Sequence, residues 1–388
     1  MVKMGPRFEP EINKTNAVKC NHCGRESPLV SRALGLCRQC NLGDFPAVLA
    51  SIEEAHLRAR QPFGLPGAVP REAGGAACRL CANECRIGEG AVSFCGLRTS
   101  RRGKLSGATS DRGNLSWYYD PLPTNCVADW VCPGGSGAGY PQYAHRLGPE
   151  YGYQNLAVFY QACSFDCLFC QNWHYRYAAT GPARVSAARL ADQVDDQTSC
   201  ICYFGGDPAP QLPHSIRTSR LALAKRKGGI LRICWETNGS MHPAWLKQAA
   251  ELALASGGCI KFDLKAHSEA LHLALCGVSN RRTLDNFRLL AEYSRRRPQP
   301  PLLVASTLLV PGYVEREEVS RIASFMAALD RDIPYALLAF HPQFSMDDLP
   351  VTSRRHAEEC YEAALEAGLK RVRVGNVHLL GPDYGGKG

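Results

Sequence analysis

Three closely spaced cysteines constrain this chain more than any other feature of its sequence. They are Cys163, Cys167 and Cys170, with three residues between the first pair and two between the second. This spacing places three thiolates around one compact centre, and thiolates are the usual ligands of iron–sulfur clusters. A cubane cluster needs four ligands, so three cysteines leave one iron open to bind and reduce a small molecule. The alternative is a structural zinc knuckle, which usually has four ligands grouped in pairs.

The Cys-x3-Cys-x2-Cys pattern, with aromatic residues alternating through its loop, resembles the signature of the radical S-adenosylmethionine (SAM) superfamily. The resemblance implies a 4Fe-4S cluster whose open iron chelates the amino and carboxylate groups of SAM. It also implies a low-potential electron donor, because the reduced cluster cleaves SAM to a 5′-deoxyadenosyl radical. The three cysteines are therefore predicted to hold the catalytic cluster.

Composition agrees with a redox enzyme of the cytoplasm. The chain has 388 residues and 19 cysteines, and its first seven residues lack the apolar core of a signal peptide. The longest apolar stretch, residues 302–310, is too short to span a bilayer. Thiols in a reducing compartment are better explained as metal ligands than as disulfides. The net charge of +9 is spread along the chain, so neither nucleic acid nor a membrane is expected as a partner.

From residue 156 onward, short apolar runs alternate with amphipathic segments, which is the pattern of a parallel α/β sheet. The predicted strands are residues 156–161, 201–204, 230–234, 259–264, 302–310 and 335–340. The predicted helices are residues 186–197, 214–227, 242–255, 280–295, 316–329 and 353–367. Six strand–helix units predict an α/β fold, the partial (β/α)6 barrel seen across the radical SAM superfamily. In such barrels the chemistry gathers at the carboxyl ends of the strands.

The end of the second predicted strand has the sequence Gly205-Gly206-Asp207-Pro208. It is similar to the Gly-Gly-Glu-Pro turn of the superfamily, in which backbone carbonyls accept from the SAM ammonium. Glycine lets the backbone approach a ligand closely. Aspartate is one methylene shorter than the usual glutamate. We still include this turn, up to Asp207, among the predicted SAM contacts.

The ends of the third and fourth predicted strands also resemble SAM-binding positions, those of glycyl-radical-enzyme activases. The candidates are Glu236, Thr237, Asn238, Asp263 and Lys265. In the activases these strand ends touch the ribose and the methionyl carboxylate of SAM. Taken singly, an aspartate two residues before a lysine equally suits a cap or a salt bridge. Four such features at successive strand ends together predict a SAM site.

Two further cysteine quartets precede the barrel. The first consists of Cys20, Cys23, Cys37 and Cys40, two knuckles whose spacing predicts a four-sulfur site for zinc or a single iron. The second is less regular in spacing. It consists of Cys78, Cys81, Cys85 and Cys95. A second mononuclear site, an auxiliary cluster and a structural role all remain open for this second quartet.

Residues 119–126 read Tyr-Asp-Pro-Leu-Pro-Thr-Asn-Cys. Together with the paired N-terminal knuckles and the barrel motifs, this stretch resembles the methanogenesis marker protein 10 family. That family comprises cobalamin-dependent radical SAM enzymes that C-methylate an arginine in the α subunit of methyl-coenzyme M reductase. The resemblance covers essentially the whole chain. Parts of it also occur in the broader activase-like group.

The resemblance implies further site residues. In this family a tyrosine ahead of the barrel occupies the open iron when SAM is absent, and Tyr118 and Tyr119 are the matching positions. Cobalamin binds without a separate domain, and Leu308 and Leu309 are candidates for an apolar surface under its lower face. No histidine is predicted as a cobalt ligand. Three aspartates lie in loops where a pocket for the substrate arginine could form: Asp129, Asp347 and Asp348.

We therefore divide the chain into three parts. Residues 1–60 form a four-cysteine metal-binding segment and a helix, and residues 61–150 a cysteine-rich loop region with the second quartet and the tyrosines. Residues 151–388 form the barrel, with cobalamin and substrate bound by its C-terminal part. The resemblance implies that the deoxyadenosyl radical removes hydrogen from the arginine δ-carbon, which then takes a methyl group from methylcobalamin. The alternatives are an activase-like enzyme without cobalamin and a binding module with a structural cluster.

Overall fold

The computed structural model describes residues 17–226 and 228–384 of the chain. The first sixteen residues of the predicted metal-binding segment and the last residue of the predicted helix 214–227 lie outside the described residues. No helix in these two ranges combines the length and the apolarity needed to cross a membrane.

The part before the main sheet consists mainly of short elements around one long helix. Its strands are β1 (Val18–Lys19), β2 (Glu26–Ser27), β3 (Ala76–Ala77), β4 (Arg86–Ile87), β5 (Arg98–Arg101), β6 (Lys104–Gly107) and β7 (Arg112–Gly113). Its helices are α1 (Arg38–Gly43) and α2 (Phe45–Arg60). The helix α2 starts with a proline in its first turn, where proline costs no hydrogen bond.

Strands and helices alternate through the rest of the chain. The strands are β8 (Leu115–Pro121), β9 (Gln154–Tyr160), β10 (Val185–Ser186), β11 (Thr198–Gly205), β12 (Arg232–Thr237), β13 (Ile260–Asp263), β14 (Leu303–Leu309), β15 (Tyr335–Ala339) and β16 (Val372–Gly375). The helices are α3 (Pro133–Ser136), α4 (Ala187–Ala191), α5 (Leu212–Lys225), α6 (Pro243–Ser256), α7 (Glu269–Cys276), α8 (Arg281–Ser294), α9 (Arg316–Leu329) and α10 (Arg354–Glu366).

Eight of these strands form one sheet in the order β16-β15-β14-β13-β12-β11-β9-β8. Seven strands are parallel, and β8 pairs antiparallel with β9 at one edge. The predicted α/β fold with six strand–helix units is confirmed, and the structure adds the parallel strand β16, the helix α7 and the edge strand β8. Residues 115–121 therefore belong to the main sheet, although they lie before residue 151.

Alternate residues of each parallel strand point to opposite faces of the sheet. The outward-pointing side chains are mostly large and apolar, and Tyr203, Trp235 and Phe262 are fully buried among the surrounding helices. Inward-pointing positions include polar residues such as Arg232 and Lys261. The hydrophobic core therefore lies between the sheet and the helices, and the inner face of the sheet carries polar side chains that line a cavity.

Candidate active site

The carboxyl ends of the parallel strands surround a cavity of about 380 Å³. This volume lies in the range of small-molecule sites. Most of the residues predicted for the cluster and for the cofactors line it: Cys163, Cys167, Cys170, Gly205, Gly206, Asp207, Glu236, Asn238, Asp263, Lys265 and Leu308. The remaining candidates of the barrel and its edge, Thr237, Leu309, Tyr118 and Tyr119, do not line it.

The turn at the end of β11 holds the three-cysteine loop against the sheet. The Gly206 backbone N–H donates to the Tyr160 carbonyl at 2.8 Å, and the next backbone N–H, that of Asp207, donates to the Ala162 carbonyl at 2.7 Å. A Cβ atom at Gly206 would overlap the Ala162 carbonyl oxygen. Glycine is therefore required here so that two backbone segments can approach each other directly before Cys163.

The loop also contains a buried aspartate with three basic partners. The Asp166 carboxylate lies 2.8 Å from His56 Nδ1, 2.8 Å from Arg176 Nη2 and 3.4 Å from Arg60 Nη1. Burial alone would raise the pKa of Asp166, but the hydrogen bond with His56 and the two arginines lower that pKa well below its usual range. The network ties α2, which supplies His56 and Arg60, to the cysteine loop.

The chemistry around the cysteines fits an iron–sulfur cluster. Arg176 is buried, and its Nε and Nη1 atoms have no hydrogen-bond partner among the described residues. Burial raises the pKa of the Cys170 thiol, and the neighbouring Arg176 opposes this rise. Buried N–H groups without a partner are costly and call for an acceptor. Thiolates and cluster sulfides are suitable acceptors, so Cys163, Cys167 and Cys170 are suited to hold a 4Fe-4S cluster.

The Asp207 carboxylate is occupied by hydrogen bonds within the protein. It accepts hydrogen bonds from the Asn238 backbone N–H and the Ala209 backbone N–H, both at 2.6 Å, and from Thr237 Oγ1 at 3.1 Å. Burial raises the pKa of Asp207 to about 7, although these N–H donors oppose the rise. Asp207 and Thr237 thus fix the strand ends of β11 and β12 to each other.

Four other strand-end residues do face the cavity: Glu236, Asn238, Asp263 and Lys265. Asn238 Nδ2 donates to Ser164 Oγ at 2.8 Å and lies 3.7 Å from Cys163 Sγ. Lys265 Nζ lies 2.8 Å from the Asp263 carboxylate. Burial opposes the charge of Lys265, but Asp263 and the nearby Cys167 outweigh it and raise the pKa of the lysine. The salt bridge between Asp263 and Lys265, one of the alternatives that the sequence allowed, is present. Both residues also line the cavity.

The two leucines of β14 lie on opposite faces of the sheet. Leu308 lines the cavity together with Ala336 and Leu338 of β15. Leu309 is fully buried in the hydrophobic core between the sheet and the helices. Consecutive strand residues alternate between the two faces, so only Leu308 of the pair can meet a ligand in this cavity.

The two tyrosines of β8 are also separated by this alternation. Tyr118 packs edge-on against Phe204, with ring centroids 6.4 Å apart, and lines a smaller neighbouring cavity. The Tyr119 hydroxyl donates to the Gln193 carbonyl at 2.6 Å, away from that cavity. Neither tyrosine lines the cavity of the three cysteines. The tyrosine that does so is Tyr175, which follows the cysteine loop and escaped sequence reasoning.

Of the three aspartates proposed for an arginine pocket, only Asp129 lines the cavity. Asp129 Oδ1 accepts from Arg373 Nη1 at 2.6 Å, which joins the loop after β8 to β16. Asp348 instead accepts from the Arg32 backbone N–H at 2.8 Å and from Ser31 Oγ at 3.2 Å. Asp348 therefore anchors the four-cysteine segment, and Asp347 does not line the cavity.

The first quartet forms a compact four-thiol group. The Sγ atoms of Cys20 and Cys40 are 3.8 Å apart, those of Cys23 and Cys37 3.8 Å, and those of Cys37 and Cys40 3.5 Å. A tetrahedral site with metal–sulfur bonds of about 2.3 Å has sulfur–sulfur separations of about 3.8 Å. The residues thus fit one zinc or iron ion, and they are the only four-thiol group this tight within residues 17–226 and 228–384.

The second quartet is buried but less compact. All four of its thiols are less than 10% exposed. Burial raises the pKa of Cys78, Cys81 and Cys85, and a charge on Cys95 would raise each of them further. The Cys78 backbone N–H donates to the Cys85 carbonyl at 2.8 Å, and metal binding by the four residues stays a prediction.

The barrel interior contains a row of thiols that sequence reasoning missed. Cys202 of β11 lies opposite Cys234 of β12, and the Cys259 backbone N–H donates to Cys234 Sγ at 3.5 Å. The buried Lys261 Nζ lies 3.2 Å from Cys202 Sγ and 2.9 Å from Cys126 Sγ. These residues line a second cavity of about 120 Å³, and Cys126 also lines the first. The sequence did contain a signal for this row, because cysteine and basic residues recur at alternate positions of β11 and β12.

Comparison with known proteins agrees with this site. Residues 157–326 match the sequence model of the Radical SAM superfamily, and this segment contains the three-cysteine loop and strands β11 to β14. The chain therefore contains a radical SAM domain. The domain and its cysteine-lined cavity define a radical SAM enzyme.

Individual relatives are similar over part or most of the chain. An uncharacterized protein of Methanocaldococcus jannaschii is 24% identical over 306 residues, which cover 77% of this chain and 81% of that protein. The isethionate sulfite-lyase activating enzyme of Desulfovibrio desulfuricans is 32% identical over 142 residues, which cover 36% of this chain and 41% of that enzyme. A solved radical SAM methyltransferase from Sphaerobacter thermophilus matches with a TM-score of 0.44 and 16% identity, over 58% of this chain and 67% of that chain.

Proposed function

We propose that this protein is a cobalamin-dependent radical SAM methyltransferase that C-methylates the δ-carbon of an arginine in the methyl-coenzyme M reductase α subunit. One observation supports the proposal above others: a single cavity joins three thiols, paired charges, an apolar wall and a carboxylate that already binds a guanidinium. The resemblance of residues 119–126 to the methanogenesis marker protein 10 family supplies the particular reaction.

The chain's own residues divide the work of binding and orientation. Cys163, Cys167 and Cys170 would hold the cluster, and Asn238 keeps their loop against β12. The Lys265 ammonium and the Asp263 carboxylate offer partners of opposite charge to the carboxylate and ammonium of SAM. When bound, the cluster, SAM and cobalamin supply the electron, the radical and the methyl group, because side chains cannot activate an aliphatic C–H bond.

The walls of the cavity suit a reaction that must exclude water. Phe165, Phe169 and Tyr175 line it next to the cysteines and are almost fully buried. On another side, Leu308 and Leu338 offer an apolar surface for the lower face of cobalamin. Apolar walls beside the cysteines keep water away from a reactive intermediate formed there.

The substrate arginine would bind where Asp129 now holds Arg373. This ion pair shows that a guanidinium fits against Asp129, and both of its members line the cavity. Both side chains are partly exposed, so exchange with an incoming arginine requires no opening of the core. Asp129 is therefore our candidate for guanidinium recognition in the substrate protein.

The direct test uses anaerobically reconstituted protein with SAM, cobalamin, a low-potential reductant and an arginine-containing peptide from methyl-coenzyme M reductase. We expect a mass gain of one CH2 on an arginine carbon, with one 5′-deoxyadenosine and one S-adenosylhomocysteine per turnover. Deuterium placed on the arginine δ-carbon should appear in the deoxyadenosine. Cys167→Ala, which removes one cluster ligand, should abolish every product. Methylation of a guanidinium nitrogen would contradict the radical mechanism.

A glycyl-radical-enzyme activase-like function is the second candidate. The observation that favours it is the similarity to the isethionate sulfite-lyase activating enzyme, which is the most identical of the relatives compared above. Such an enzyme would cleave SAM without cobalamin. Retention of cobalamin, seen as its visible absorption after gel filtration, separates the two candidates. Deoxyadenosine formation by a protein that retains no cobalamin would favour the activase-like function.

A further inference from the structure

We propose that Arg176 compensates the charge of the iron–sulfur cluster and makes its reduction easier. The inference rests on the cluster of the radical SAM domain and holds whether or not arginine is the methyl acceptor. Arg176 lies six residues after Cys170, in a short 3-10 helix, Trp173–Ala178, that follows the cysteine loop.

The first argument is the hydrogen bonding of the Arg176 guanidinium. Its Nη2 atom donates to Asp166 Oδ1 at 2.8 Å, which fixes the orientation of the group. Its Nε and Nη1 atoms are buried and have no partner in the part of the chain that the structure describes. A buried guanidinium with unused donors costs free energy unless a ligand accepts from it. Sulfur atoms of a cluster beside Cys170 are acceptors of the required kind.

The second argument is the charge around Asp166. Two buried guanidinium groups, those of Arg60 and Arg176, face one buried carboxylate. The segment behind the cysteine loop therefore has an excess of positive charge even before His56 is counted. A cluster with three thiolates gains one more negative charge when it is reduced. Positive charge and N–H donors next to the sulfur atoms stabilise that reduced state and raise the reduction potential.

Arg60 provides a matched control in the same network. It contacts the same oxygen of Asp166, at 3.4 Å, but its other N–H groups donate to the carbonyls of Pro66 and Phe94. Both guanidinium groups lie over an aromatic ring, that of Arg60 3.7 Å from the Phe94 centroid and that of Arg176 4.3 Å from the Phe344 centroid, so the two residues differ in their hydrogen bonds. Replacing Arg60 thus removes one positive charge next to Asp166, as replacing Arg176 does, but it leaves the unpaired N–H donors of Arg176 in place.

The experiment measures the midpoint potential of the cluster by redox titration followed by electron paramagnetic resonance, in Arg176→Gln, Arg176→Lys and Arg60→Gln. Iron content and unfolding temperature are recorded for each variant. We expect R176Q to shift the potential to more negative values by at least ~59 mV, a tenfold change in the one-electron equilibrium. R176K, which keeps the charge with fewer donors, should shift it less, and R60Q should shift it least.

Equal shifts in R176Q and R60Q would show that only the overall charge around Asp166 matters, and would overturn the proposal. An unchanged potential in R176Q would overturn it as well. If R176Q holds too little iron to titrate, R176K is compared with Arg60→Lys in the same way, and equal potentials in this pair again reject the proposal.

Discussion

Single residues at the carboxyl ends of the strands have two different tasks. Asp207 and Thr237 bind each other and the backbone, so they set the shape of the cavity. Glu236, Asp263 and Lys265 line the cavity and can meet a ligand. Substitutions of the first kind should change the position of several groups at once, whereas substitutions of the second kind should change individual contacts.

The neighbouring leucines of β14 allow a matched test of these roles. Leu309→Ala should lower the free energy of unfolding by about 2–5 kcal/mol, because Leu309 is fully buried and the substitution leaves a cavity. Leu308→Ala should cost much less stability but weaken cobalamin retention, since Leu308 lines the ligand cavity. Urea unfolding and visible absorption measure the two effects. Comparable loss of stability in both variants would contradict the assignment of the two faces.

The Asp129–Arg373 pair leads to a kinetic prediction. Asp129→Asn should raise the KM for an arginine peptide about tenfold, and Arg373→Ala should lower it, because the internal guanidinium no longer competes. Steady-state methylation assays measure both values. Asp332→Asn, which breaks an exposed ion pair with Lys370 elsewhere on the surface, is the control. An unchanged KM in Asp129→Asn would place guanidinium recognition elsewhere.

Among the elements, the four-thiol segment is fastened to the barrel by a few specific contacts. The buried Tyr313 hydroxyl, from the turn between β14 and α9, accepts from the Ser31 backbone N–H at 3.0 Å and donates to the Leu36 carbonyl at 2.9 Å. The same segment leads through α1 into α2, whose His56 and Arg60 contact Asp166 in the three-cysteine loop. The four-thiol segment is therefore connected through α2 to one wall of the candidate active site.

Removing the metal of the N-terminal four-thiol site should destabilise the protein, but the three cysteines of the barrel should still be able to bind their cluster. Cys37→Ala should lose the N-terminal metal and lower the unfolding temperature, because a metal site in a loop-rich segment contributes folding energy. Tyr313→Phe should keep the metal and lose about 1–3 kcal/mol, since it strands two buried polar groups. Elemental analysis and thermal unfolding measure these effects. A Cys37→Ala protein with full metal content and unchanged stability would contradict the four-thiol assignment.

At the scale of the whole molecule, buried histidines make stability depend on pH. Burial lowers the pKa of His214 and of His272 to about 4 each. His214 accepts from the Tyr160 hydroxyl at 2.9 Å and donates to the Val185 carbonyl at 3.1 Å, an arrangement that suits the neutral ring. Unfolding exposes both rings and restores their pKa to about 6.5.

Between pH 6.5 and 4 these two histidines bind more protons in the unfolded chain than in the folded chain, so their contribution to stability falls as the pH falls. Asp207 opposes one of them, because burial raises its pKa to about 7 and the folded carboxyl holds a proton that the unfolded one releases. Each histidine contributes up to about 1.4 kcal/mol per pH unit. Urea unfolding at several pH values measures the slope. His214→Gln should reduce the slope by up to one such contribution, whereas an unchanged slope would show that His214 is not neutral in the folded protein.

The sequence alone predicted the features that depend on neighbouring residues. The spacing of Cys163, Cys167 and Cys170 lies within one loop, and the knuckles of the first quartet are equally local. The alternation of apolar runs and amphipathic segments predicted the parallel α/β sheet. These signals are readable because a turn or a strand is determined mainly by its own side chains.

Only the tertiary structure decided which of these residues meet in space. Four features were not visible in the sequence: the edge strand β8, the inward row of thiols, the different roles of Leu308 and Leu309, and the unpaired N–H donors of Arg176. Asp129 and Arg373 are separated by 244 residues along the chain. Such contacts depend on strand register and on the packing of distant segments, and one residue of register exchanges the two faces of a strand.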